Sequence, residues 1–360
     1  MRALSDTSGI GQRCFRSLVL IGVTLSASGA SFTASAQGCE PIRFTTPVNL
    51  GGAGKAYQPG HEWEFTVAYR HLYSDQYFVG TRQSDASAPL GVAPIIEVHT
   101  WLGDVAYSVN DRVRVRLTVP FSVGRETRGW GDGLFHDQAA TGIGDISATV
   151  ESWLLDPRTH DDGNLSVGVS VKAPTGDYKS RSEFFTPSGS VAFPAPQTIT
   201  AGDGGWGATL ALQAFQKLSD RAFIFAEGSY SANPRARGAE VAPGSGLYWS
   251  VPDVYSARVG AALSIIPQHF SVSLGGRMDG IPVHDLVGGG DDDTLKRSAY
   301  ILFADPGLSV SQGHSTVTLS VPIRLALNRL KSVSEQQQPA GQNAGGFAQH
   351  LVFLSYSYRR

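Results

Sequence analysis

The chain has 360 residues, 41% hydrophobic and 17% charged, and its 29 Lys and Arg nearly balance 31 Asp and Glu for a net charge of −2. That balance excludes the basic surplus of a nucleic-acid-binding surface, and two cysteines, Cys14 and Cys39, exclude a disulfide framework or a Cys-rich metal site. The length allows two soluble domains or one large all-β barrel.

Residues 1–36 read as a secretory signal peptide. Arg2, Arg13 and Arg16 form a positive region, Leu18 to Leu25 an apolar core, and Ala34-Ser35-Ala36 a small-x-small cleavage site. The rival is a lipoprotein signal anchored at Cys39, which Gln37 two residues before it fits poorly. Residues 37–60 are rich in Gly and Pro and form an N-terminal arm that either hangs in the periplasm or plugs a lumen. After Ala36 no apolar run approaches the roughly 20 residues of a membrane helix. A secreted protein, a periplasmic protein and an outer-membrane barrel remain.

From residue 61 to 358 the hydrophobic period is 2. Trp63, Phe65, Val67 and Tyr69 alternate with polar or small residues; so do Val113 to Val123, Leu165 to Val171, and Val317, Leu319, Val321, Ile323, Leu325 and Leu327. The pattern predicts twelve strands, over 61–73, 93–109, 112–124, 141–155, 164–175, 205–218, 221–231, 253–266, 269–280, 298–311, 314–327 and 347–358. Short connections alternate with long ones at 74–92, 125–140, 176–204, 232–252, 281–297 and 328–346. Even strand number with turns at one end and loops at the other is the layout of a bacterial outer-membrane barrel. A soluble β-sandwich shares the alternation, but its strands are usually five or six residues long. The fold class expected is therefore all-β, a single antiparallel up-and-down transmembrane barrel of about twelve strands.

Two segments carry a family resemblance: Gly142-Ile143-Gly144-Asp145 before a strand, and Val171-Lys172-Ala173-Pro174-Thr175-Gly176-Asp177 at a strand end, followed by Gly202-Asp203-Gly204-Gly205-Trp206-Gly207. The chain resembles the outer-membrane proteins named after the meta-cleavage pathway of phenol degradation, over about 100–358 and most specifically 141–210. The resemblance implies a transporter, with aromatic or other hydrophobic solutes as the class, and no functional residues that carry over. Outer-membrane barrels usually end on an aromatic residue read by the assembly machinery; here Arg359 and Arg360 come after Tyr358. The motifs also have a local reading, since Gly permits tight turns and Pro ends strand pairing.

Charged residues within the strands cannot face lipid, where each cationic one costs about 2–4 kcal/mol near the midplane. Arg112, Arg114, Arg116, Lys172, Arg258, Arg277 and Arg324 are therefore expected to line the lumen, with Glu62, Glu64, Asp104, Asp145, Glu151 and Asp279 as inward acids. They form either a self-satisfying network or a selectivity surface for polar and anionic solutes. A three-residue turn at Val109 to Asp111 sets Asp104 opposite Arg116, and matched strand ends bring Glu151 near Arg116 as well. Histidines such as His71, His99, His136, His269 and His314 have no serine motif beside them, and no HExxH, GxSxG or Walker loop occurs. The acidic stretches Asp291-Asp292-Asp293 and Asp132 with Asp137 read as solvated loop charge. No enzyme activity, cofactor or metal is expected. The expected partners are outer-membrane lipid and lipopolysaccharide, the barrel assembly machinery and a small-molecule solute. The expected function is a channel for small solutes with a charged lumen; the alternative is a structural or surface-interaction barrel without flux.

Overall fold

The computed structural model describes residues 57, 59–84, 94–235, 237–241, 246–288, 293–337 and 344–360. The expected signal peptide 1–36, Cys39, nearly all of the arm 37–60, and Asp291-Asp292 lie outside these residues.

The period-2 pattern becomes twelve antiparallel strands. They are β1 Trp63–Ser74, β2 Ile95–Ser108, β3 Val113–Gly129, β4 in two segments, Phe135–Ile143 and Ser147–Trp153, β5 Gly163–Lys172 and β6 Gly207–Lys217. β7 is Ala222–Ala232, β8 Val254–Ile266, β9 Phe270–Ile281, β10 Ala299–Gln312, β11 again in two segments, Ser315–Ser320 and Ile323–Arg329, and β12 His350–Arg359. Each strand pairs with its neighbours in sequence, and β12 returns to β1 with Phe65 opposite Tyr358, which closes the barrel. Closure pairs most of the wall on both edges, while the segment Phe135–Ile143 pairs with β3 alone and Ile323–Arg329 meets β12 only at Ile323 and His350. Among the described residues no helix is long and apolar enough to cross a membrane; the strands are the long apolar elements.

The two faces of the wall separate by chemistry. On β1, Glu64, Thr66, Ala68, Arg70, Leu72 and Ser74 alternate with outward Trp63, Phe65 and Val67. The outer surface is an apolar band in which Leu117, Val150, Val169, Leu210, Val259 and Leu274 stand exposed. At the end where the chain turns shortly between strands, Trp63 packs on Tyr107 at 4.8 Å between ring centroids, beside outward Tyr356 and Tyr358.

Three sequence expectations need correction. The region 125–140, read as a long loop, is mostly a hairpin: β3 runs to Gly129 and β4 starts at Phe135, with Thr127 opposite Asp137. β4 is broken at 144–146 by the Gly144-Asp145 motif. β11 is broken at Val321-Pro322, because Pro has no N–H for the ladder, and its register to β10 slips by one near Leu325. A one-residue slip sends the side chains beyond it to the other face. Leu325 is thus 69% exposed and Leu327 only 7%, although simple alternation put them on one face.

The long connections fold over and into their end of the barrel. Wall residues Leu72, Ile96, Val98, Ile301, Phe303, Leu327, Leu351 and Phe353 pack there on Tyr77, Ile199 and Phe347 from the loops in one apolar core. Tyr77 and Phe78 from the loop after β1 pair with Gly346 and Gly345 from the loop before β12, tying the two neighbouring loops together. Gly124 on β3 is required by this packing, since a Cβ there would lie 2.6 Å from the Ile199 carbonyl oxygen.

Candidate functional site

The interior has two unlike halves. At the long-loop end it is the apolar core. Below it a polar cavity of about 250 Å³ runs from Glu64 and Arg114, near the short turns, to Arg70, Ser122 and Asp203. Nine of the residues expected to face a lumen, Glu64, Asp104, Arg114, Arg116, Asp145, Glu151, Lys172, Arg258 and Arg277, border this cavity.

Its charges are arranged in pairs. Glu151 receives Arg114 at 2.6 Å and Arg116 at 3.6 Å. Glu64 receives Arg359 at 2.8 Å and Arg114 at 3.4 Å. Across the barrel Arg258 meets Asp305 at 2.8 Å and Glu227 at 3.8 Å, while Arg277 meets Asp279 at 2.8 Å and lies over the Phe353 ring. Hydroxyls fill the gaps: Arg70 donates to Thr100 at 2.9 Å, and Thr100 meets Ser122 at 3.1 Å. Charge-assisted bonds of this kind hold long side chains in fixed positions on a rigid wall.

The expected register around Arg116 is off by two residues. Ser108 faces Arg114, Ala106 faces Arg116 and Asp104 faces Thr118, while Glu151 faces Arg114. The turn is longer than expected because the Asn110 side chain accepts the N–H groups of Arg112 and Val113, each at 2.8 Å, and Val109 N–H reaches the Val113 carbonyl. A shift of two leaves every side chain on its expected face. Asp104 consequently accepts the Thr118 hydroxyl, and the cluster centres on Glu151.

Two of the expected lumen residues lie elsewhere. Arg112 is in this turn, half exposed, 3.3 Å from Asp156. Arg324 comes just after the break in β11; its guanidinium donates to the Ala348 carbonyl and the Gln76 side chain and lies 4.9 Å over the Phe78 ring, so it anchors the loops rather than bordering the cavity.

The sequence motifs converge in one knot in the wall. Asp145 accepts the Gly176 N–H at 2.9 Å and the Asp203 N–H at 3.1 Å, and Lys172 pairs with Asp203 and stands 3.8 Å from Asp145. Glycine is needed at both crossings: a Cβ on Gly176 would sit 2.8 Å from the Gly202 Cα, and a Cβ on Gly202 would sit 2.8 Å from the Gly176 Cα. The break in β4, the end of β5 and the start of β6 are thereby locked, and the loop carrying Ile199 is held in the barrel.

Sequence reasoning missed a second set of deeply buried charges. Glu335 receives Arg329 at 2.6 and 2.7 Å and Arg297 at 3.4 Å, and Lys296 meets Asp285 at 3.0 Å; all five are essentially solvent-free. Ser332 caps the short helix α1, Val333–Gln337: its N–H donates to Glu335 at 2.9 Å and its hydroxyl accepts the Glu335 N–H at 3.4 Å. The spacing Ser332-x-x-Glu335 is a capping box and was the available signal. At the opposite end Tyr57, from the arm, packs on inward-facing Trp153 and Phe215 at 5.1 and 5.6 Å. Gly60 N–H donates to Asp111 at 2.7 Å, which holds that carboxyl below the usual range.

No family model matches this chain, and no curated protein matches it. Among solved structures it is similar to the COG4313 outer membrane channel from Pseudomonas putida F1, with a TM-score of 0.61 at 14% identity, covering 88% of this chain and 100% of that one. The likeness is one of fold, a closed antiparallel barrel. A FadL homologue from Pseudomonas aeruginosa superposes more loosely, with a TM-score of 0.41 at 10% identity over 88% of this chain and 98% of its own.

Proposed function

We propose that this protein is an outer-membrane channel of a Gram-negative bacterium, exported through a cleaved signal peptide, that passes small solutes through a charged lumen. The carrying observation is the contrast between an outward apolar band and an inward cavity bordered by Arg114, Arg116, Glu151, Arg258 and Asp305. Only helices and closed barrels satisfy their backbone in lipid, and an apolar exterior on a closed barrel is what lipid, with lipopolysaccharide around the long loops, would cover. Assembly would use the barrel machinery acting on the β12 end, where Tyr356 and Tyr358 face outward. The wall mixes ion pairs with Ser and Thr hydroxyls, which suits small solutes carrying polar groups; the aromatic or hydrophobic class rests on the family resemblance alone.

The reading of a barrel without flux is favoured by one observation, the apolar core that fills the long-loop half. Planar-bilayer recording of the refolded chain separates the two. Discrete conductance steps support the channel. Silence, both in the wild type and after deletion of 344–349, supports the structural barrel.

A further inference from the structure

The outer wall of the barrel carries a cluster unrelated to the lumen. His71 on β1 and His99 on β2 face each other directly across the ladder, and Glu97 lies two residues along β2. The His71 Nε2 is 3.0 Å and the His99 Nε2 3.4 Å from the same Glu97 oxygen. One ligand atom from each of the three residues falls within 4.8 Å of the others. On its far side, His99 Nδ1 meets the Tyr69 hydroxyl at 2.7 Å.

We propose that His71, Glu97 and His99 form a site for a single borderline divalent transition cation, of which Zn²⁺ is the probe. Two imidazoles and one carboxylate with a position left open is a donor set such ions take, at about 2.0–2.2 Å from each ligand. Both Nε2 atoms lie near one Glu97 oxygen, so an ion entering there replaces the His71–Glu97 hydrogen bond and the His99–Glu97 contact with coordination. The Tyr69 oxygen can accept a hydrogen bond from His99 Nδ1–H, which leaves Nε2 with its lone pair toward the ion; such outer partners fix tautomer and ring direction. Paired strands hold the ligands, so little ordering remains to be done on binding.

The position also gives the ion an aqueous approach. All three side chains are partly exposed. Glu97 lies opposite Arg125 on β3, whose guanidinium is 3.4 Å from outward Asp137. These outward charges mark the level where the apolar band ends on the long-loop side. A bound ion would bridge β1 and β2 at that rim. Because 26 residues separate His71 from Glu97, spacing along the sequence gave no sign of the set.

The test is calorimetric titration of Zn²⁺ into the untagged, detergent-solubilised full chain carrying Cys14→Ser and Cys39→Ser, so that no thiol competes. About one equivalent should bind. His71→Ala, His99→Ala and Glu97→Ala should each weaken binding about tenfold or more, and Tyr69→Phe should weaken it less. His314→Ala and His350→Ala should leave it unchanged. Heat-modifiable gel migration confirms that each variant is folded. X-ray absorption of the wild-type complex, which needs no variant, should show two imidazoles in the ligand shell. Absence of a saturable site, binding that survives the double variant His71→Ala/His99→Ala, or a shell without imidazole would overturn the proposal.

Discussion

The two halves of the barrel interior use charge in opposite ways. In the long-loop half, Glu335, Arg329, Arg297, Lys296 and Asp285 are enclosed, and loops rather than solvent meet them. In the short-turn half, Arg114, Arg116 and Glu151 keep about a fifth to a quarter of their side-chain surface open to the cavity. An enclosed ion pair is costly to break because the surviving charge stays buried. A pair beside water can exchange partners or accept a solute at much lower cost. On the proposed channel reading, the contrast would place closure in one half and selectivity in the other.

The largest expected effect is in the enclosed half. Glu335→Ala removes the carboxylate shared by Arg329 and Arg297 and breaks the Ser332 capping box. It should destabilise the loop core by about 3–5 kcal/mol. Hydrogen exchange should then rise over 330–349 while β1 to β9 stay protected, and bilayer conductance should increase. Equal exchange across the whole barrel would show that the core and wall are one cooperative unit and erase the contrast.

A smaller effect should come from the knot between the halves. Gly202→Ala places a Cβ 2.8 Å from the Gly176 Cα, an overpacking worth about 1–3 kcal/mol. The Ile199 loop should loosen, read as protease cutting within 176–204. An unchanged urea midpoint and cutting pattern would mean that this crossing bears no strain.

In the open half the expected changes are in selectivity, with little cost in stability. Arg114→Ser with Arg116→Ser should shift the reversal potential toward cations, and Glu151→Gln toward anions. Arg112→Ser should leave it where it was, because Arg112 lies in the turn beside Asp156. A shift with Arg112→Ser as large as with Arg114→Ser would place the ion path outside the cavity.

The smallest effect concerns the arm. The Gly60 N–H depresses the Asp111 carboxyl, so the tie is fully present above the unfolded value of about 3.9. It is lost as pH falls through the lower folded value. Protease cutting before Tyr57 should be flat from pH 7 to pH 5 and rise only in stronger acid; a rise already at pH 6 would assign the tie to another group.

The wall was legible because its signal is local. Most strands show their inward and outward faces within a few residues, so the faces of Arg114, Arg116, Asp104 and Glu151 come from alternation alone; 221–231 and 298–311 carry apolar residues on both faces and show it least. The register between β2 and β3 was not, because it depends on one Asn110 side chain capping the turn, and partners moved by two residues while their faces stayed. Leu327 failed for a sharper reason: the slip near Leu325 reverses the side-chain order after it, whereas Arg324, before the slip and opposite buried Phe303, keeps its inward face and is drawn to Gln76 and Ala348 of the loops.

By itself the sequence determined that this chain closes an apolar-sided, charge-lined barrel, since burying one face of every strand admits few other solutions and lipid would exclude the charges. Only the tertiary structure decided what fills it. The Asp145–Gly176–Asp203 knot, the Glu335 cluster and the His71–Glu97–His99 set each join residues 26 or more positions apart in at least one contact. Such contacts exist only once the wall has closed and set its far segments side by side.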